Sequence, residues 1–95
     1  MEKCDEHIKI KASASYNFME KMCLEVENFS KEKNFESRKF ALMLCLREAL
    51  TNAIRHGSKN NSEKQIFMQV DYINDTMKIL IRDEGNGFNW REVAA

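Results

Sequence analysis

The chain has 95 residues, with 15 acidic and 15 basic side chains and a formal net charge of zero. That balance removes any global electrostatic pull toward nucleic acid or an anionic membrane surface, and no segment approaches the ~18 uninterrupted apolar residues that span a bilayer. At 43% apolar and 32% charged it reads as one small domain, of a size that buries only ~60–65% of its unfolded surface.

In chain order, His7 to Ala12 is a short strand candidate. Ser13 to Ser15 then offers a cap for a helix from about Tyr16 to Phe29. Phe18, Met22, Val26 and Phe29 give that helix an apolar stripe, widened by Met19 and Cys23. Ser30 to Phe35 is polar enough to turn the chain. Glu36 to Gly57 is the second helix, anchored by Leu42, Met43, Leu46, Ala49, Leu50, Ala53 and Ile54 and stopped by Gly57. After the polar connector Ser58 to Glu63, Lys64 to Ile73 alternates Ile66, Met68, Val70 and Tyr72 against mostly polar partners. Asn74-Asp75 joins it as a tight hairpin to the strand Thr76 to Asp83. Asn89 to Val93 reads as the start of another helix, with Trp90 as its apolar anchor or as an exposed aromatic. Strand, helix, helix, strand, strand predicts an α+β two-layer sandwich, a mostly antiparallel sheet with helices on one face.

Cys4, Cys23 and Cys45 are an odd number at wide spacing with no signal peptide, which points to reduced thiols in a cytoplasm. Cys23 and Cys45 lie in apolar stretches and read as packing residues. Cys4 with His7 is a lone C-x-x-H without a second ligand pair, which does not make a zinc site.

Two segments carry chemistry. On the second helix Glu48, Asn52 and His56 recur at i, i+4 spacing, so at ~100° per residue a carboxylate, an amide and an imidazole share one ridge beside the buried face. On the last strand Met77, Ile79 and Ile81 form the core face, and Asp83 continues it. A carboxylate in phase with core residues needs donors, and it opens onto Glu84, Gly85, Asn86 and Gly87, a loop that tolerates unusual backbone angles.

REALTNAIRHG on the helix and IRDEGNGF after the strand resemble the N box and first glycine box of the GHKL (Bergerat-fold) ATPase superfamily, most closely those of anti-sigma-factor serine kinases. Glu48, Asn52, His56 and Gly57 match that N box in order. The resemblance implies ATP or ADP bound with Mg²⁺. The asparagine matching Asn52 helps hold the metal, and the aspartate matching Asp83 accepts from the adenine amino group. The glutamate matching Glu48 activates the attacking hydroxyl. Physical chemistry agrees: Mg²⁺ on a nucleotide takes few protein ligands and wants oxygen. An acceptor-only carboxylate prefers adenine to guanine. Gly85 and Gly87 let the backbone approach the base and sugar. His56 either satisfies the last carbonyls of its helix or reaches the nucleotide. Arg47 and Arg55 read as solvent or partner contacts.

The sequence departs from the superfamily pattern in having no second glycine box after Asp83, so the expected domain, residues 1–95, lacks the lid and the phosphate-holding turn, and weak nucleotide binding is expected. The partners implied are a sigma factor and an antagonist protein, together with a homodimer or other self-association to cover apolar surface. Neither nucleic acid nor membrane is expected as a partner. Two other readings stay open: a non-catalytic nucleotide-binding or dimerisation module, and the ATP-binding part of a sensor histidine kinase.

Overall fold

The computed structural model describes residues 6–57, 61, 63–84 and 88–94. The elements are β1 (Glu6–Ser13), α1 (Tyr16–Glu32), α2 (Lys39–Asn52), a π-helical turn (Ala53–Gly57), β2 (Gln65–Ile73), β3 (Thr76–Asp83) and β4 (Phe88–Ala94). The strands form one antiparallel sheet in the order β1-β2-β3-β4. This is the expected α+β architecture. Among the described residues no helix is long and apolar enough to cross a membrane.

Period-two alternation sorts the sheet into two faces. Ile66, Met68 and Val70 of β2, Met77, Ile79 and Ile81 of β3 and Val93 of β4 are buried on the face that α1 and α2 cover. Met22, Cys23, Val26 and Phe29 come down from α1, and Leu42, Leu46, Ala49 and Leu50 from α2. Each such leucine, fully withdrawn from water, contributes about 1.5–3 kcal/mol. The β2–β3 turn is set by Asn74 and Asp75, both at positive φ (52° and 61°), the backbone required by a two-residue hairpin of matching twist. Tyr72 donates its hydroxyl hydrogen to Asp75 Oδ1 at 2.8 Å and ties the turn to β2.

The structure corrects the expected helices in their bounds and in the face that α1 buries. α1 runs on to Glu32, because the buried Ser30 does not break it: its hydroxyl donates to Glu27 O at 2.7 Å inside the helix. Asn34 at φ 57° then turns the chain, and Phe35 folds back into the core, edge-on to Tyr72 with centroids 6.2 Å apart. α2 therefore begins at Lys39 rather than Glu36, with Arg38 as its uncapped entry. Phe18 does not belong to the α1 stripe. It is 39% exposed, with Lys21 Nζ 5.1 Å from its ring centroid.

The segment Asn89 to Val93 is not a helix but part of β4, paired with β3 from Thr76↔Ala94 to Arg82↔Phe88. A five-residue helix has little to offset its nucleation cost, whereas pairing satisfies the open backbone groups along β3. Cys4, most of the Ser58 to Glu63 connector, Gly85 and Gly87 lie outside the described residues. Cys23 and Cys45 are free thiols, Cys23 buried and Cys45 partly so. Burial raises the Cys23 thiol pKa, so it stays protonated and packs as a small apolar group.

Leu46, with no exposure, tests this core. Leu46→Ala is expected to lower the unfolding free energy by about 2–5 kcal/mol in urea titration. Phe40→Ser, at a position 82% exposed, should change it by no more than about 0.5 kcal/mol.

Candidate functional site

α1 and α2 form an antiparallel hairpin, and the pairs that cross it fix its alignment. Arg47 clamps Glu20 through Nη1 at 2.8 Å and Nη2 at 3.1 Å. Lys39 meets Glu27 at 2.7 Å, and Thr51 Oγ1 reaches Met19 Sδ at 3.7 Å. As one number rises the other falls, so the start of α1 lies beside the end of α2.

The sheet shows which end this is. α1 follows β1, whose last residue, Ser13, is in register with Gln65. The next residue of β2, Ile66, pairs with Asp83. At the opposite end Arg38, entering α2, donates to Ala94 O at 3.1 Å, and Ala94 pairs with Thr76, the first residue of β3. α2 thus runs in the same sense as β3. Its last turn and Asp83 share one end of the sandwich, and the π turn packs on β3 there.

At that end Arg47, Glu48, Thr51 and Asn52 line an open hollow of about 320 Å³. The Glu48 and Asn52 side chains are exposed and have no hydrogen-bond or ion-pair partner among the described residues. Their oxygens remain available to a ligand. Buried Leu46, Ala49, Leu50, Ala53 and Ile54 hold the other side of the helix against the sheet, which fixes the polar ridge outward. Asp83 sits at the end of β3, half-buried and already engaged within the structure, and does not line this hollow. His56 is exposed on the π turn and is not part of the lining either.

Thr51 enters the site without having been singled out in the sequence, and Arg47, read there as a solvent or partner contact, lines the hollow as well. For Arg47 the signal is Glu20, 27 positions away, which only the helix pairing brings into reach. The bidentate clamp lowers the Glu20 carboxyl pKa, first through the hydrogen bonds and then through the guanidinium charge. A carboxylate depressed in the folded state adds stability above the ordinary carboxylate range, and that stability is lost as pH falls through the lowered value. Because both side chains are exposed, the effect on stability is small.

The donor chemistry suits a hard cation on a phosphorylated ligand. Glu48, Thr51 and Asn52 offer carboxylate, hydroxyl and amide oxygens in the last turns of α2, at the negative end of its dipole. Among the described residues no group of three or more His, Cys, Asp or Glu side chains could hold a metal without such a ligand.

The profile of the histidine kinase-like ATPase domain matches residues 12–94. The chain belongs to this family. Its function class is accordingly that of an ATP-binding, histidine kinase-like ATPase module, with the sheet and helix hairpin as scaffold. No curated protein matches the chain.

Arg47→Ala should raise the Glu20 pKa back toward the ordinary carboxylate value. Side-chain carboxyl titration by NMR checks this, and an unmoved Glu20 would show the clamp to be absent in solution.

Proposed function

We propose that the chain is a Mg-ATP-binding module of the anti-sigma-factor serine kinase type, a type that would phosphorylate a serine of an antagonist protein and thereby control a sigma factor in the cytoplasm. The observation that carries this reading is the meeting of Glu48 and Asn52 in one hollow, unpartnered, at the end of the sandwich where β3 delivers Asp83. The order Glu48, Asn52, His56, Gly57 supports the serine-kinase branch of the family over the histidine-kinase branch.

In this reading Asp83 accepts from the adenine amino group and fixes the base at the sheet end. Gly85 and Gly87 allow the backbone to approach base and sugar. Asn52 would offer its amide oxygen to a nucleotide-bound Mg²⁺, and His56 lies one turn further along the chain, outside the lining of the hollow. When bound, Mg²⁺ neutralises charge on the transferred phosphoryl group. Glu48, four residues before Asn52 on the same ridge, accepts the proton of the attacking serine hydroxyl as general base. Arg47, paired with Glu20 through both guanidinium nitrogens, stays at the rim of the hollow and fixes α1 against α2 there. Sigma factor, antagonist and a second copy of the chain are the partners of this proposal.

Calorimetry with Mg-ADP tests it. Asp83→Asn removes an acceptor for a charge-assisted hydrogen bond and is expected to weaken binding by about 10- to 150-fold. Asn52→Ala should weaken binding in the presence of Mg²⁺ and change it little in EDTA. Glu48→Gln should retain nucleotide while slowing turnover by about 10²–10⁴-fold. Equal affinities for wild type and Asp83→Asn, or no heat from either, would refute the site.

A further inference from the structure

The sheet face turned away from the helices carries a feature that nucleotide binding does not use. Lys9 and Lys11 of β1, Phe67 and Gln69 of β2, and Leu80 and Arg82 of β3 surround a hollow of about 390 Å³. Lys11, Phe67 and Arg82 stand side by side in one cross-strand row. Both cations lie against the ring between them, Lys11 Nζ 5.4 Å and Arg82 Cζ 4.6 Å from its centroid. Lys9, Gln69 and Leu80 form the next row.

Lys9, Lys11 and Arg82 are exposed, and among the described residues none has a carboxylate partner. The carboxylates one row further along are engaged elsewhere. Asp71 accepts from Gln69 Nε2 at 3.0 and 3.1 Å, and Glu92 sits 4.0 Å from Lys78. A chain with no net charge therefore concentrates three unneutralised cations around an apolar floor.

We propose that this face docks an acidic segment of another protein, whose carboxylates pair with Lys9, Lys11 and Arg82 while an apolar side chain settles on Leu80. The spacing suits such an occupant. Lys9 and Lys11 are alternate residues of a strand, about 6.6–6.8 Å apart, the repeat at which an extended chain presents alternate side chains. Register sets Phe88 and Trp90 of β4 in the same two rows, so a single-stranded nucleic acid, which stacks its bases on aromatics beside cations, is the competing occupant that the test separates; a chain with zero net charge lacks the global attraction that such a polyanion exploits. An inorganic anion has nothing to place on Leu80. The cation–ring contacts also restrict the Lys11 and Arg82 head groups before a partner arrives, which reduces the ordering cost of binding.

The test is fluorescence anisotropy with a short labelled peptide of glutamates carrying a leucine at every third position, at low salt. Oligothymidylate, inorganic phosphate and phosphatidylserine vesicles serve as competitors. The wild-type chain should bind the peptide. The triple variant Lys9→Gln, Lys11→Gln, Arg82→Gln should bind it at least about fivefold more weakly, and raised salt should weaken wild-type binding. Thermal unfolding establishes that the triple variant is folded. Lys9→Gln alone, which leaves both ring contacts in place, should give a smaller loss in the same direction. No peptide binding by the wild type, equal affinity in the folded triple variant, or preferential binding of oligothymidylate or vesicles overturns the proposal. Asp83→Asn and Asn52→Ala should leave peptide affinity unchanged, so failure of the nucleotide site and failure of this one are read separately.

Discussion

Covering the apolar face of β2 and β3 is the constraint on which the rest of the structure depends. Ile66, Met68, Val70, Met77, Ile79 and Ile81 are almost wholly withdrawn from water, and the hairpin of α1 and α2 lies over them. Because α1 leaves β1 at the Asp83 end of the sheet and α2 must return antiparallel to it, the last turn of α2 is carried back to that same end. The polar ridge then follows from helix periodicity. With Leu46, Ala49 and Leu50 turned to the sheet, Glu48 and Asn52 face outward.

Most of the architecture was legible from alternation and turn chemistry. Thr76 to Asp83 is a strand over its full expected length, and Asn74-Asp75 forms the expected turn, because alternating side chains and positive-φ residues are local signals. What was not legible depends on distant partners. Nothing in the residues Asn89 to Val93 states that β3 has an open edge to be paired, yet that edge makes them a strand. Phe18 falls at helical spacing with Met22 but rotates out of the covered surface. The π turn at Ala53–Gly57 has no residue signature, and it carries His56 away from the lining that Glu48 and Asn52 share.

The site was legible to the same extent. Spacing alone put Glu48 and Asn52 on one ridge, and the structure places both in one hollow. The contributions of Arg47 and Thr51 needed the tertiary pairing with Glu20 and Met19. The in-phase position of Asp83 on β3 was readable from the sequence, but its position at the same end as Asn52 required the strand register and the helix alignment together. The cationic outer face also escapes sequence reading, because Lys9, Lys11 and Arg82 meet only across three strands.

The two sheet faces thus divide the work. One is spent on the core that holds α2 in place, and the other carries Lys9, Lys11 and Arg82 with no carboxylate partner among the described residues. The most direct measurement of the central claim is backbone and side-chain chemical-shift mapping of the isotopically labelled chain titrated with Mg-ADP. Shifts are expected together at Glu48, Thr51 and Asn52 on α2 and at Ile81 to Glu84 around the end of β3, with Lys39 and Thr76 at the far end unmoved. Shifts confined to one of these segments, or largest at the far end, would contradict a single nucleotide site at the meeting of α2 and β3.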